Sequence, residues 1–433
     1  MPEIGGDTIR VRLFRWATLL AVFLLPWQTR WIFERRTLPS GEGWEYGQLS
    51  LYAVEILIML ALGLRMLAGR PTNQEPTRRF FHPWLLLLLP GLGLIRSADP
   101  TLTVASWGHL LFASGFIVLL LDARIRSPHL LKSFVSGLIP AVLLGWWQLL
   151  MGESPASSLF GLASHAAAVP GDAVVQLEDG FRLLRAYGPL PHPNIFGGFL
   201  AVGFLSLIAL FHRRSWQDPF LAVGSLAVGS GLILTFSRSS WVALLVGVIV
   251  FVLLMLWERR TPPHTAIPAI VFLLCVTAAT AILFFKPIVS RVNISLPLEA
   301  NSLAERLGQW SAWDDVWYAA PWTGVGVGGY TLILAQAHPD SPSWAYQPIH
   351  NTFVLLVTEV GVIGMLVFGW VLFRYVYILW GHRAWSGGMF ALSLMSLWFV
   401  LGMFDHYLWS LEPGLMLTGF VLAMGWRMAK QER

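Results

Sequence analysis

The sequence predicts an all-α polytopic membrane protein, in which residues 1–433 form a single integral membrane domain. Two observations lead to this fold class. Hydrophobic residues make up 56% of the chain and charged residues only 12%, whereas an ordinary soluble domain has roughly 25% charged residues. The hydrophobic residues also occur in long runs, and a helix needs roughly 20 such residues to cross a bilayer. A water-soluble core could not bury this much apolar surface.

About 12 segments are predicted to be transmembrane helices from their hydropathy. In chain order they are Leu13–Trp27, Gln48–Leu64, Trp84–Ile95, Leu102–Leu121, Ser133–Leu150, Asn194–Phe211, Pro219–Phe236, Trp241–Trp257, Ile267–Phe285, Thr352–Phe373, Gly388–Met403 and Leu408–Trp426. The connections on one side are short, and the other side has two long loops, at residues 151–193 and 286–349. Long loops on one face are where binding and catalysis are usually found.

The distribution of lysine and arginine indicates the orientation of the spans. Of the 29 such residues, 19 lie on the side of the two termini and 10 lie on the side of the long loops. Because cytoplasmic loops of membrane proteins carry the excess of basic residues, we expect both termini to be cytoplasmic and the long loops to be external. The net charge of +5 therefore reflects membrane topology and does not indicate nucleic-acid binding.

The second long loop contains a pattern typical of an amphipathic helix on the membrane interface. Its apolar residues recur at helical spacing and are Leu303, Leu307, Trp310, Trp313 and Trp317. The run "GVGVGG", from Gly324 to Gly329, lacks the surrounding strand and helix of a phosphate-binding loop. We predict a tight turn there.

Arg238 is the most informative single charge in the sequence. It lies between two almost wholly apolar segments, at the edge of the bilayer or inside the protein. Charges at membrane depth are costly and usually functional, whereas the alternative is an arginine that reaches out to lipid headgroups. The neighbouring Ser237, Ser239 and Ser240 favour a functional polar pocket.

His350 and Asn351 immediately precede an apolar span, which places them near the membrane surface. A lone histidine is more often a hydrogen-bonded structural group than a catalyst, so both roles are open for His350 by itself. Arg306 is similarly either a functional group or a solvated charge that pairs with Glu305 or Gln309.

The first long loop ends in "RLLRAYGPLPHPNIFGGF", where a proline-rich segment gives way to a span at Asn194. Arg182 and Arg185 both lie in this stretch, and the sequence does not distinguish which of them is the working arginine. His192 lies between two prolines and is predicted to be part of the loop structure.

Taken together, these groups suit a lipid-linked diphosphate substrate at the outer membrane surface. Guanidiniums bind phosphates through planar paired hydrogen bonds, and a histidine of near-neutral pKa can take a proton from a hydroxyl. We expect His350 to be the base and the arginines to neutralise the departing diphosphate. Supporting positions are predicted at Arg182, Asn194, Asn351 and Glu359.

No metal site or cofactor is predicted. The single cysteine, Cys275, lies in an apolar run, which rules out an intramolecular disulfide and a cysteine metal site. The external histidines and carboxylates do not show the spacing of metal ligands.

The residues described above resemble those of the O-antigen ligase and O-antigen polymerase family of polytopic membrane proteins. The matching pieces are "RAYGPLPHPN", "TFSRSS", the block "ERLGQW…P-x-x-GVGVGGY" and "HNTFVLLVTEVGVIG". They come in the order typical of the family and extend from Arg185 to Gly364.

The resemblance implies a GT-C-like glycosyltransferase of the bacterial inner membrane. It would transfer a glycan from undecaprenyl diphosphate to an acceptor hydroxyl on the periplasmic face, without a metal and with inversion at the anomeric carbon. By the same resemblance His350 matches the proposed general base, while Arg185 and Arg306 match arginines proposed to bind the diphosphate. Arg238 matches a recurrent arginine that we also assign to the diphosphate.

Two alternatives remain open. The family includes polymerases and protein O-oligosaccharyltransferases, which share this chemistry and differ in the acceptor, a glycolipid or another glycan. The first long loop, with "ASHAAAVPGDAVVQLEDG" inserted before its arginine, is expected to help choose that acceptor.

A small-anion transporter would instead need an ionisable group near the bilayer midplane, for which Glu359 is the best candidate. Alternatively, the Glu359 side chain forms a structural hydrogen bond to a neighbouring helix.

Overall fold

The computed structural model describes residues 9–38, 41, 43–69, 91, 93–211, 218–260, 267–293, 295–341 and 345–430. The helices in these residues are α1 Ile9–Phe23, α2 Ala53–Leu67, α3 Pro100–Leu120, α4 Ser127–Met151, α5 Pro193–Phe211, α6 Pro219–Leu234, α7 Arg238–Trp257, α8 Ile267–Leu283, α9 Phe285–Val292, α10 Pro297–Trp317, α11 Tyr330–Ala337, α12 Thr352–Trp380, α13 Ser386–Phe404, α14 Tyr407–Ser410 and α15 Glu412–Lys430. Short strands form three antiparallel pairs, β1 Arg30–Glu34 with β2 Leu49–Tyr52, β3 Glu153–Ser154 with β4 His165–Ala166, and β5 Val174–Gln176 with β6 Arg182–Leu184.

The predicted polytopic helical fold is borne out by six described helices that are long and apolar enough to cross a membrane. They are α3, α4, α5, α7, α12 and α13. The pair α8 and α9 makes a seventh candidate, bent by 78° where the two helices meet, and α6 is apolar but only 16 residues long. The predicted total of about twelve spans is not confirmed. The predicted span Trp84–Ile95 lies largely outside the described residues.

The predicted span Gln48–Leu64 begins too early. Residues Leu49–Tyr52 pair with β1 as the strand β2, and the helix α2 starts only at Ala53. The sequence "LSLY" is as apolar as the helix that follows it, so hydropathy alone could not separate strand from helix at this point.

The helix α5 is central to the fold, because nearly all of its residues are buried. It packs against α4, α6, α7 and α13. Two glycines allow close contacts at its N-terminal end. A Cβ at Gly197 would lie 2.5 Å from the Ser240 Oγ, and one at Gly198 would lie 2.0 Å from the Tyr407 Oη. The beginnings of α5, α7 and α14 therefore meet at the end of the helices that carries the two long loops, which we call the loop end.

The predicted tight turn at Gly324–Gly329 is confirmed, since Gly324, Gly326 and Gly328 have positive φ. The turn packs against a break in α12 at Gly361, whose φ is 72°. The Gly326 N–H donates to the Glu359 carbonyl at 3.1 Å. The turn therefore supplies a hydrogen-bond donor at the break, where the regular backbone hydrogen bonds of α12 are interrupted. The Glu359 side chain is buried and accepts from the Trp409 Nε1 at 2.7 Å.

Candidate active site at the loop end

His350 is brought to the loop end by contacts between the start of α12 and the segment that follows α13. The Thr352 N–H and hydroxyl both donate to the Asp405 carbonyl, at 3.0 and 2.7 Å. The Asn351 Nδ2 donates to the Met403 carbonyl at 3.2 Å. These bonds place the His350 side chain beside Asp405 and His406.

Asn351 also caps α12. Its Oδ1 accepts from the backbone N–H groups of Phe353 and Val354, at 3.0 and 3.1 Å. An asparagine at this position satisfies N–H groups that have no partner within the helix. The cap fixes the point at which the helix starts, and it therefore fixes the position of the preceding His350.

The tautomer of His350 follows from its contact with Gln309 on α10. One Gln309 atom, Oε1, lies 3.1 Å from the His350 backbone N and 2.9 Å from its Nδ1. Because the backbone N–H can only donate, the Gln309 atom must be the acceptor oxygen. The Nδ1 must then carry a hydrogen, which leaves the lone pair of neutral His350 on the Nε2. A lone pair in this position is what a general base needs.

The surroundings of His350 favour its neutral form. Burial lowers its pKa below the ordinary value of 6.5; Asp405 acts in the opposite direction and Arg306 again lowers it. The rings of His350 and His406 meet edge to face, with their centroids 5.3 Å apart. Burial also lowers the pKa of His406, to about 4. Both imidazoles are therefore neutral at pH 7.

Arg185 is buried at the loop end and joins two elements. Its Nε donates to the Thr235 carbonyl at 2.7 Å, and its Nη2 donates to the Asn194 Oδ1 at 2.8 Å. The Asn194 Nδ2 donates in turn to the Asp405 Oδ2 at 3.1 Å. A chain of hydrogen bonds thus connects Arg185 through Asn194 to the carboxylate beside His350.

Arg182 has a different environment. Its Nε donates to the Ala167 carbonyl at 2.7 Å, and its Nη2 donates to the Val169 carbonyl at 3.1 Å. These bonds tie together two parts of the first long loop. Of the two candidate arginines of this loop, only Arg185 is linked through Asn194 to the Asp405 carboxylate near His350.

Arg238 shares a carboxylate with Arg291, a residue that the sequence analysis did not single out. The Arg238 Nη2 lies 3.1 Å from the Glu299 Oε2, and Arg291 pairs with the Glu299 Oε1. The Arg238 Nη1 also donates to the Arg291 carbonyl at 2.8 Å. Arg291 lies in the last turn of the short helix α9. It is not flanked by apolar runs on both sides and belongs to no motif, so the sequence gives no signal for it.

Arg306, on α10, forms no hydrogen bond or ion pair with the described part of the chain. Its charge is close enough to lower the pKa values of both His350 and Arg291, though burial has the larger effect on each. Burial, followed by the charge of Arg291, also lowers the pKa of Arg185. The loop end therefore gathers four guanidiniums against the carboxylates Glu299 and Asp405. An anionic ligand would relieve this excess of positive charge.

Three further residues of the site were missed or dismissed by the sequence analysis. His192 lies in the loop before α5, as predicted, but it also belongs to the site: its Nδ1 accepts from the Asn194 N–H at 3.1 Å, and burial, followed by the charge of Arg185, lowers its pKa to about 3. Asp405 and His406 were not considered. Their segment "FDHYLW" lies between two apolar runs, which is the same signal that drew attention to His350.

The structure also reveals a group that could hold a metal ion. One possible ligand atom from each of His350, Asp405 and His406 lies within 4.8 Å of the others. Sequence spacing does not indicate this group, because α12 and α13 separate its members along the chain. The same three residues could equally serve as a base with its supporting carboxylate.

A cavity of about 290 Å³ opens beside Gln309, between α10 and α11. Its lining includes Glu305, Tyr330, His338 and Tyr346. Glu359 does not line this cavity; its buried carboxylate accepts from the Trp409 Nε1 and from the backbone of Gly328 and Tyr330. The cavity offers a polar substrate a route to the Gln309–His350 pair.

Comparison with known protein families finds a match for part of the chain. The family model described as O-antigen ligase matches residues 220–369. The matched segment contains Arg238, Arg291, Arg306 and His350 and leaves out Arg185 and Asp405. No curated protein matches the chain.

Proposed function

We propose that the chain is a membrane glycosyltransferase of the ligase type, because residues 220–369 match the family model described as O-antigen ligase. The donor is a glycan on undecaprenyl diphosphate, and the acceptor is a hydroxyl of a glycolipid or another glycan. The observation that carries this proposal is the His350 Nε2, which bears a lone pair next to an excess of arginine charge.

In the proposed reaction, the acceptor hydroxyl oxygen forms a bond to the anomeric carbon of the donor glycan. The hydroxyl proton passes to the His350 Nε2. The bond between the anomeric carbon and the diphosphate oxygen breaks, and its electron pair leaves with undecaprenyl diphosphate. A single displacement of this kind inverts the anomeric configuration. His350 later returns its proton to water.

The arginines act on the leaving group. Negative charge grows on the departing diphosphate oxygen in the transition state, and preplaced positive groups stabilise it there more than in the ground state. Arg306 makes no hydrogen bond or ion pair with the described residues, and the Arg238 side chain is partly exposed. Arg185 and Arg291 are more buried, so we assign them to positioning and to the local positive field.

The orientation belongs to the same proposal. The loop end would face the periplasm of a Gram-negative inner membrane, with both termini in the cytoplasm, as the lysine and arginine distribution suggests. We also propose a GT-C-like architecture. The chemistry would require no metal, since the guanidiniums supply the positive charge and His350 supplies the base.

The transporter alternative has less support. Such a protein needs an ionisable group that is available near the bilayer midplane. The Glu359 carboxylate instead accepts from the Trp409 indole and from the backbone of Gly328 and Tyr330. Polymerase and protein O-oligosaccharyltransferase activities use the same reaction and differ only in the acceptor.

The first test is His350→Ala, assayed in lipid nanodiscs with a fluorescent glycan on undecaprenyl diphosphate and an acceptor glycolipid. Loss of a general base lowers turnover by about 10²- to 10⁴-fold, and we expect a fall in this range with normal folding. The matched control is His382→Ala, which removes an imidazole bound to the Ile378 carbonyl far from the site along α12. Wild-type turnover in His350→Ala would refute the role of the base.

A chelator experiment separates the base from the metal alternative. We expect turnover to be unchanged after dialysis against EDTA. If turnover were lost and then restored by one divalent cation, the group of His350, Asp405 and His406 would be a metal centre instead.

A further inference from the structure

A second cavity, of about 130 Å³, lies at the loop end on the side of the β1–β2 hairpin. We call it the hairpin cavity. Its walls come from the hairpin, from both ends of the first long loop, and from the segment after α14. A buried water needs roughly 10–15 Å³ measured in this way, so the cavity has room for several polar atoms of a ligand.

The hairpin cavity adjoins the candidate active site at three points along the chain. Glu45 lines it, and the next residue, Tyr46, places its ring 5.9 Å from the ring of His406. Pro191 lines it and directly precedes His192. Leu411 lines it and follows the serine whose hydroxyl contacts the His406 Nδ1 at 2.7 Å. A ligand in the cavity would therefore be next to the reacting groups.

Two buried polar atoms in the lining have no partner in the described part of the chain. One is the Nε2 of Gln28, whose residue is only 7% exposed, and the other is the Nε2 of His165. Burying a polar group without a hydrogen bond costs free energy, so such groups are rare unless a ligand or water completes them. The hairpin cavity therefore holds unused hydrogen-bonding capacity.

The two unpartnered atoms differ in character. The Gln28 Nε2 is an amide nitrogen and can only donate. The His165 Nδ1 lies 2.8 Å from the Asp172 Oδ1, and since a carboxylate only accepts, the hydrogen is on the Nδ1. The Nε2 of neutral His165 then accepts. The His165 ring is held in place by stacking on Tyr187, with centroids 3.9 Å apart.

The hydroxyl groups of a sugar can both donate and accept, so they match the Gln28 amide, which donates, and the His165 Nε2 in either protonation state. Arg30 and Glu45 line the exposed side of the same cavity and add charged groups that hydroxyls also bind. We propose that the hairpin cavity is a saccharide subsite. It holds one ring of a glycan whose reacting end lies at His350, and this inference rests on the proposed transferase function.

The glycan could be part of the donor or of the acceptor, and kinetics distinguish the two sources. The test variants are Gln28→Leu, which removes the donor, and His165→Phe, which keeps the stacking on Tyr187. Gln176→Leu, in the strand β5 of the same loop and outside the cavity lining, is the matched control. Turnover is measured with the lipid-linked donor and the glycolipid acceptor extracted from the bacterium that encodes the chain.

We expect both variants to raise the KM of one substrate by about tenfold, with kcat within about twofold of wild type. A rise in the donor KM assigns the subsite to the donor glycan, and a rise in the acceptor KM assigns it to the acceptor. The Gln176→Leu control should leave both constants unchanged. If both KM values stayed at the wild-type level in Gln28→Leu and His165→Phe, the subsite would be refuted.

Direct binding separates this inference from the transferase function. Oligosaccharides released from the same two lipids are added to purified His350→Ala protein, and binding is followed by saturation-transfer NMR. Binding that is lost on adding Gln28→Leu supports the subsite even if the wild-type chain transfers no glycan. Binding that is unaffected by either cavity variant overturns it, whatever the outcome of the transfer assay.

Discussion

The arginines at the two ends of the helices differ in how many of their N–H donors the protein itself uses. Arg427, far from the loop end, is buried and uses four of its five N–H donors within the protein. It donates to the Ser127 hydroxyl at 3.0 Å, to the carbonyls of Leu120 and Asp122 at 2.6 and 2.9 Å, and to the Ile125 carbonyl. Its guanidinium binds the segment that connects α3 and α4.

The loop end presents the opposite case. Arg306 makes no hydrogen bond or ion pair with the described residues, and Arg238 uses one carbonyl and part of the Glu299 carboxylate. Arg427 thus uses four N–H donors within the protein, whereas Arg306 uses none on the described residues. An arginine whose donors are mostly taken up in this way stabilises the fold, whereas one with donors to spare at a polar surface is available to a ligand.

The largest effect predicted from this comparison concerns Arg306→Gln. Because the guanidinium is available to the leaving diphosphate, we expect turnover to fall by about 100-fold or more. The melting temperature should stay within experimental error, since no contact within the described chain is lost. Transfer assays and thermal melts on the same preparation measure both. A stable variant with wild-type turnover would remove Arg306 from the site.

The same substitution at Arg427 should have the reverse effect. Arg427→Gln leaves the carbonyls of Leu120, Asp122 and Ile125 without their donor, and we expect a loss of about 3 kcal/mol of stability. The kcat per folded molecule should be unchanged. Unfolding in mixed micelles and active-site titration test the two parts. A defect in turnover without a defect in stability would contradict the comparison.

The smallest effect is a shift in the pH profile. A base must be neutral, so the rate rises with pH through the pKa of His350, which burial holds below 6.5. Asp405 raises this pKa and Arg306 lowers it. We therefore expect Asp405→Asn to move the acidic limb of kcat/KM to lower pH and Arg306→Gln to move the residual activity to higher pH. Shifts in the same direction would show that His350 does not control the limb.

Much of the candidate site was visible in the sequence as polar residues at the borders of apolar runs. Arg238 and His350 stand out because a charged or imidazole group is costly in such a place. The same rule applies to Asp405 and His406, which lie between two apolar runs. Arg291 has no comparable signal, because its helix α9 has no apolar run on both sides and its role depends on Glu299.

Hydropathy and short motifs are local properties of the chain, so they were enough to predict the membrane fold class, the resemblance to the O-antigen ligase family and the candidate group of arginines with His350. The tertiary structure alone decided which arginine of the first loop reaches the site, and it supplied the Gln309 contact that sets the His350 tautomer. It also brings His350 close to Asp405 and His406 and forms the hairpin cavity. These features join residues that are far apart in sequence, and only the packing of the helices and loops brings them together.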